Sequence, residues 1–539
     1  MFCNQCEETA KGTGCTIKGV CGKEDEIAAY QDVLVYLCKG ISVRNLAAME
    51  KGKANPAAGL FIAEALFSSL TNVNFDKQRF ADQITRAIAL RDSLPAAGSG
   101  EPDACTWKPA GDITILEKAK TVGTLATANE DVRSLRMTLI YGLKGVAAYY
   151  THAHVLGRTD AGIETFLQKG LASTLQDLTV PEMVALVLEC GSVGVTTLAL
   201  LDGANTTAYG NPQITSVKTT VGTRPGILIT GHDLKDMALL LEQSKNAGVD
   251  VYTHGEMLPS HGYPAFKKYP HLHGNYGGSW YTQRDEFEKF NGPVLVTTNC
   301  IVPPKDSYAG RVFTTGLAGY PGVKHIAASA DGRKDFSAVI ELAKKSQPPQ
   351  ELNAGSKDLI TGCAHGAVLG LADKVIAAVK NGDIKRFIVM AGCDGRQKDR
   401  EYYTQFALAL SKDTVILTAG CAKYRYNHLD LGTIGGIPRV LDAGQCNDCY
   451  SIVVIAQALA KAFGVGINEL PVSYNIAWYE QKAVLVLLSL LSLGVRDITL
   501  GPKLPAFVSP AVLDVLVKNF DLKPNTTVEA DLGRMVPAK

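Results

Sequence analysis

The stretch RFIVMAGCDGR (386–396) reads as a short apolar strand that stops at Gly392 and delivers Cys393 at its end. An apolar run of four to six residues bounded by glycine is the pattern of a strand buried on both faces of a parallel sheet. The pattern recurs. DTVILTAGCAKYRYN (413–427) delivers Cys421, IPRVLDAGQCNDCY (437–450) delivers Cys446, and GPVLVTTNCIVPP (292–304) delivers Cys300. In open α/β sheets, ligands collect outside the carboxyl ends of the strands. Four thiols at such ends favour a shared metal centre over four separately packed side chains, because thiolates are soft ligands that suit metal clusters.

Upstream the same texture holds. GILITGHDLKDMALLLEQ (226–243) is strand, glycine turn, then helix, with His232 just before the helix. VDVYTHGEMLPSHGYP (249–264) is a strand followed by Glu256. Strands alternating with helices mean parallel sheets with crossover helices. Two α/β domains are expected, covering 221–362 and 363–539, preceded by a helical domain over 1–220. In that first domain Val132, Leu135, Leu139, Leu143 and Val146 recur at three- and four-residue spacing, one apolar helix face. Similar helices fit 26–49, 57–69, 76–93, 162–169 and 181–201, and the Pro- and Gly-containing stretch 94–112 reads as a connection.

Near the C-terminus NIAWYEQKAVLVLLSLL (475–491) starts amphipathic and becomes wholly apolar, with Glu480 and Lys482 at its edge. A charged pair beside a buried helix makes pairing or metal contact plausible, against the bland reading of a solvated helix start. The longest apolar run, Ala483–Val495, has 13 residues. That is short of the roughly 18 needed to span a bilayer, so no membrane anchor is expected. The N-terminal MFCNQCEE lacks an apolar signal region, and a cytoplasmic location is expected. A formal net charge of +1 without basic runs argues against electrostatic capture of nucleic acid or membrane. The 13 cysteines, an odd number in a chain without a secretory signal, fit reduced ligand thiols better than disulfides.

A second cysteine set opens the chain: Cys3, Cys6, Cys15 and Cys21, with Gly12, Gly14, Gly19 and Gly22 interleaved. Structural zinc usually shows two separated C-x2-C knuckles. The compact, glycine-rich run is closer to an iron–sulfur ligand loop, whose backbone N–H groups turn towards the sulfurs. Cys38, Cys105 and Cys190 read as buried thiols, and His152 and His154, two apart on a helix, are a poor metal pair.

MFCNQCEETAKGTGC (1–15), GHDLKD (231–236), THGEMLP (253–259), TTNCIVPP (297–304), AGCDGR (391–396), TAGCAKYRYN (418–427), DAGQCND (442–448) and WYEQKAV (478–484) together resemble the hybrid-cluster proteins, also called prismane proteins or hydroxylamine reductases. The resemblance implies a helical domain followed by two Rossmann-like α/β domains, a fold related to nickel carbon monoxide dehydrogenases. It implies one [4Fe–4S] cubane on Cys3, Cys6, Cys15 and Cys21, the spacing resembling that of members from strict anaerobes. It implies a hybrid [4Fe–2S–2O] cluster between the domains, on His232, Glu256, Cys300, Cys393 as a persulfide, Cys421, Cys446 and Glu480, with Lys482 beside it. Cys363 and Cys449 match no ligand position.

The implied reaction is reduction of hydroxylamine to ammonia and water, with Cys393, Glu480, Lys482 and His232 as catalytic candidates. Nitric oxide reduction or protein S-nitrosylation in nitrosative stress is the family-level alternative. A carbon monoxide dehydrogenase-like enzyme and a non-catalytic iron–sulfur sensor are the other two. No GxGxxG loop for a nicotinamide follows a strand, so electrons are expected from a ferredoxin, a rubredoxin or an NADH-dependent reductase. The segment HGYPAFKKYPHLHGNYGGSWYTQRDEF (261–287) is expected either to cover the cluster or to be an ordinary surface loop.

Overall fold

The computed structural model describes residues 1–352 and 356–536. Seven α-helices build the N-terminal part: α1 (Asp25–Met49), α2 (Ala57–Ser68), α3 (Lys77–Ser93), α4 (Asp112–Val122), α5 (Glu130–Val155), α6 (Ala161–Ser173) and α7 (Val180–Tyr209). Their starts follow ordinary capping chemistry. The Asp76 carboxylate accepts from the Gln78 and Arg79 N–H groups, Asn129 caps α5, and Thr179 with Glu182 forms a capping box on α7. Helix α4 is not among the expected helices: the stretch 94–112, expected as a plain connection, holds a 3-10 turn at Asp103–Cys105 and runs into α4, where Gly111 precedes Asp112.

Two six-stranded sheets follow. The strands are β1 (Thr215–Val217), β2 (Gly226–Thr230), β3 (Asp250–His254), β4 (Leu272–Asn275), β5 (Val294–Val296), β6 (Val312–Thr315), β7 (Lys324–Ile326) and β8 (Leu359–Thr361), then β9 (Arg386–Val389), β10 (Thr414–Thr418), β11 (Thr433–Ile434), β12 (Ile437–Pro438), β13 (Val440–Asp442), β14 (Val472–Ala477), β15 (Ile498–Gly501) and β16 (Lys523–Pro524). The first sheet has the order β4-β3-β2-β5-β6-β7 and the second β13-β10-β9-β14-β15-β16. Every pairing in both is parallel. β1 and β8 pair antiparallel, clipping together the entry and exit of the first α/β region.

Both orders start in the middle, grow to one edge, then return and grow to the other. The direction reverses between β2 and β5 in the first sheet and between β9 and β14 in the second. At such a switch point neighbouring crossovers leave on opposite faces, which opens a crevice at the strand ends. The segment 261–287 is not a plain loop, because it contributes the edge strand β4.

The apolar helix Gln481–Ser492 packs against α5 and α7. It lies in one continuous apolar cluster that runs from the N-terminal helices into the second sheet, from Leu34 and Leu143 through Leu485 to Ile498. The approach is backbone to backbone: a Cβ on Gly191 of α7 would collide with the Leu488 carbonyl. Helix α7 has the length and mean hydropathy to cross a membrane, on composition alone, and it packs against α5 and the 481–492 helix.

Candidate metal centre

Seven donor side chains leave the ends of seven strands. His232 follows β2, Glu256 follows β3, Cys300 follows β5, Cys393 follows β9, Cys421 follows β10, Cys446 follows β13 and Glu480 follows β14. The two switch points are therefore marked by His232 with Cys300 and by Cys393 with Glu480. Gly392 (φ +116°) makes the second possible, because a Cβ there would strike the Ala477 carbonyl at the end of β14.

The structure brings these donors together at one buried junction. His232, Glu256 and Cys446 place their ligand atoms within 4.8 Å of one another. Glu256 Oε2 lies 3.7 Å from His232 Nε2 and accepts the Cys446 backbone N–H at 2.7 Å. Glu256 Oε1 is buried with no hydrogen-bond partner among the described residues. Cys421, Cys300 and Cys393 share a small cluster with Trp280, Val302 and Tyr479. Cys393 is in electrostatic reach of Glu480, Cys446 and Cys300. Glu480 caps the 481–492 helix, accepting the Lys482 N–H at 2.8 Å.

Neighbouring hydrogen bonds fix the orientation of the donors. The Thr298 hydroxyl donates to the Asn299 carbonyl at 3.2 Å and lies 3.0 Å from both His232 N and His232 Nδ1. Its one proton is used, so Nδ1 carries the hydrogen and Nε2 turns its lone pair towards the donors. That lone pair faces Lys482 Nζ at 3.1 Å, and Lys482 Nζ also donates to Asn299 Oδ1 at 3.1 Å. Gln445 Nε2 donates to the backbone carbonyls of His232 at 3.1 Å and Glu256 at 2.8 Å, clamping two strand ends with one amide.

Burial dominates the electrostatics. It pushes the Cys393, Cys421 and Cys300 thiols up and the Cys446 thiol up to about 12, with neighbouring negative groups adding to the rise. It also raises the Glu256 and Glu480 carboxyls and lowers His232. Burial works to lower Lys482 as well, but Cys446, Glu480 and Cys300 outweigh it and hold the ammonium protonated. Beside four thiols, two carboxyls and an imidazole with its lone pair aimed inward, the single ammonium of Lys482 is too little positive charge to ionise them all. The orphaned Glu256 oxygen points the same way. The donor set fits a cationic metal group, with thiolates for sulfide-bridged iron and nitrogen and oxygen donors for a harder, partly open iron.

The family model of the Prismane/CO dehydrogenase family matches residues 1–533. The chain belongs to the Prismane/CO dehydrogenase family. It is 59% identical over 557 residues to the hydroxylamine reductase of Nitratidesulfovibrio vulgaris, covering 100% of both chains. It is 58% identical to the hydroxylamine reductase of Methanosarcina mazei, covering 99% of both. Among solved structures it resembles a carbon monoxide dehydrogenase from Thermococcus sp. AM4, with a TM-score of 0.53, 18% identity and coverage of 99% of this chain and 90% of that one. Carbon monoxide dehydrogenase IV from Carboxydothermus hydrogenoformans gives a TM-score of 0.55 at 14% identity, with 97% and 89% covered. These two show a shared fold. As a prismane-family chain with two cysteine sets, this is an iron–sulfur oxidoreductase.

In this prismane-family chain the N-terminal cysteines form a tight loop. Cys3 and Cys15 exchange backbone hydrogen bonds at 3.0 and 2.8 Å, and the Ala10 N–H points at Cys15 Sγ at 3.4 Å. Burial raises the Cys6 and Cys21 thiols; at Cys6 the sulfurs of Cys21 and Cys3 add to the rise. A single zinc with bonds of about 2.3 Å would draw four sulfurs to roughly 4 Å of one another. Among the described residues only His232, Glu256 and Cys446 close three donor atoms within 4.8 Å, so the N-terminal set is spread wider than one ion requires.

Three further placements emerge. His152 of α5 stands beside His232, ring centroids 6.3 Å apart, with its Nε2 unpartnered among the described residues. Sequence spacing dismissed it as a metal pair with His154 and could not show this neighbour from another element. Cys449 lines an apolar cavity shared with Cys393 and Cys446. Cys363 is buried just past β8, its N–H bonded to the Asp442 carbonyl at 2.8 Å. Of the 261–287 segment, Trp280 reaches the junction, its ring tilted against Tyr479 with centroids 4.7 Å apart, and donates to the Asp394 carbonyl at 2.8 Å.

Proposed function

We propose that this protein is a hydroxylamine reductase, converting hydroxylamine to ammonia and water with two electrons and two protons. The observation that carries the reading is the mixed donor set, four sulfurs with one imidazole and two carboxylates, closed at a single buried junction. Full-length similarity to curated hydroxylamine reductases supports it. In this reading His232, Glu256, Cys300, Cys393, Cys421, Cys446 and Glu480 hold a hybrid [4Fe–2S–2O] cluster, Cys393 as a persulfide, and Cys3, Cys6, Cys15 and Cys21 hold a [4Fe–4S] cubane. When bound, the iron supplies electrons and an open position that polarises the N–O bond.

The chain's own groups do the rest. Thr298 holds His232 in the Nδ1–H tautomer, and Gln445 sets the positions of the strand ends that carry His232 and Glu256. Lys482, buried and protonated, donates a proton to the departing oxygen. Asn299, 3.1 Å from its ammonium, keeps that group at the junction. Trp280 and Tyr479 wall one side and exclude water. Electrons come from a separate donor, a ferredoxin, a rubredoxin or an NADH-dependent reductase, entering at the N-terminal loop. The reduced thiols this requires fit a cytoplasmic location.

One observation favours nitric oxide as a second substrate: the cavity reaching Cys393 and Cys446 is lined by Leu198, Leu417, Ile452 and Leu490, and suits a small apolar molecule. Anaerobically purified protein, assayed for ammonia formed from hydroxylamine beside nitric oxide consumption, tests both. Ammonia in a one-to-one ratio with hydroxylamine consumed supports the leading reading. Turnover of neither substrate by protein carrying both iron centres would overturn it.

A further inference from the structure

A polar cavity of about 300 Å³ opens between the N-terminal loop and helices α1, α4 and α5, with Cys3, Gln31, Asp32, Lys39, Arg136 and Lys144 in its wall. Its charges are unequally matched. Lys144 is committed to the N-terminal loop side, donating to Gln5 Oε1 and the Ser69 carbonyl, both at 3.1 Å. Arg136 donates to Thr127 Oγ1 at 3.2 Å and the Gln176 carbonyl at 2.8 Å, and its nearest carboxylate, the exposed Asp177, is 3.9 Å away. Lys39 has no hydrogen-bond or ion-pair partner among the described residues. Burial and Arg136 push its ammonium down to about 8, although Asp32 pulls the other way.

A second feature is independent of these charges. Gln31 is 4% exposed, its Oε1 is taken by Lys23 Nζ at 2.6 Å, and its Nε2 is buried with no acceptor among the described residues. An unmet amide donor in a wall that also holds an unpaired ammonium and a guanidinium calls for an acceptor carrying negative charge. Asp32 supplies one such charge, and among the described residues it makes no hydrogen bond to any of the three donors.

We propose that this cavity binds a small oxyanion-bearing molecule, a carboxylate, nitrite or phosphate, held by Lys39, Arg136 and the Gln31 amide, and that its occupancy is felt by the metal group on Cys3. The coupling is electrostatic. An anion beside Cys3 disfavours the added electron, so binding lowers the midpoint potential of the N-terminal cluster. By linkage, reduction weakens anion binding by the same factor. The coupling rests on the iron–sulfur reading of the N-terminal loop, whereas the binding site does not.

The test uses the holoprotein at low, matched ionic strength, with chloride as the control anion, titrated calorimetrically with acetate, nitrite and inorganic phosphate. One saturable site for at least one of the three is expected, and the strongest of them identifies the anion class. Lys39→Gln should weaken it about tenfold or more, as expected for losing a charged hydrogen-bond partner. Asp32→Asn should tighten it several-fold, a gain that misfolding cannot mimic. An EPR-monitored redox titration should show the N-terminal signal moving to lower potential with the saturating anion in the wild type and not in Lys39→Gln. Absence of saturable binding, or binding indifferent to both substitutions, overturns the site. A saturable site that leaves the midpoint unmoved overturns the coupling. Iron content and hydroxylamine turnover of the same preparation report separately on the catalytic reading.

Discussion

Thr298 decides which nitrogen of His232 faces the buried donors, although it touches no candidate ligand atom except through that ring. Thr298→Val keeps the shape and removes the acceptor, so the imidazole loses its fixed tautomer. Iron affinity at the junction should fall by roughly 10–100-fold, the usual cost of losing a partner of a metal-bound histidine. Iron analysis would show this as loss of the junction signal with the N-terminal signal intact; unchanged iron content would refute the assignment. Cys393→Ala should abolish turnover while leaving the EPR signal of the N-terminal cluster in place. A fully active Cys393→Ala protein would remove this thiol from the mechanism. Six of the donors were legible in the sequence because each lies just past an apolar run that stops at small or polar residues, and Glu480 because a charged pair stands at the edge of an apolar helix. The residues that orient them, Thr298, Gln445 and His152, were not. A hydroxyl, an amide and a helical histidine are common side chains, and only the packing of separate elements gives them a role.

At the scale of elements, two parallel sheets each offer a crevice where the winding reverses, and the chain fills both with donors that meet. The strand-end reading anticipated this because burial on both faces leaves an unmistakable apolar run. The short helix α4 and the edge strand β4 escaped it. Helix α4 buries little beyond Ile115 and Ala119, and β4 (Leu272–Asn275) contains His and Gly in place of a β-branched run. The 481–492 helix is the rod on which Glu480 and Lys482 are mounted. Its seating depends on Gly191, where an added methyl meets the Leu488 carbonyl. Gly191→Ala should destabilise the protein by about 1–3 kcal/mol, the cost of overpacking a filled interior. It should also lower iron occupancy at the junction more than at the N-terminal loop. Denaturant midpoints with iron analysis would check both, and a variant as stable and as iron-loaded as the wild type would contradict the argument.

Across the whole molecule, a buried histidine ties stability to pH. Burial pushes His261 down to about 4, and its Nε2 lies 3.1 Å from the Thr253 hydroxyl. Its folded value lies below the unfolded value of about 6.5, so the unfolded chain binds more protons. The stability it contributes is complete above about pH 6.5 and is lost as the pH falls towards 4. His261→Asn should therefore flatten the fall in melting temperature between pH 6.5 and 4.5 relative to the wild type. Parallel curves would show that His261 does not titrate in that window. Metal acts on the same scale. A group bound by donors from both sheets stabilises only the assembled form, so chelated protein should melt at a lower temperature than the iron-loaded form.

The N-terminal loop has a consequence in time. Its wall is closed by residues from the far end of the chain: Gln481 Nε2 donates to the Gln5 carbonyl at 2.6 Å, the Glu7 N–H donates to the Tyr479 carbonyl at 2.9 Å, and Arg400 pairs with the Glu7 carboxylate at 3.2 Å. The wall around the N-terminal cysteines thus joins residues 476 positions apart, and it exists only once the region around residue 480 has folded back onto the loop. A chain truncated before residue 479 would lack the Tyr479 and Gln481 contacts to that loop, and Glu480 at the junction as well.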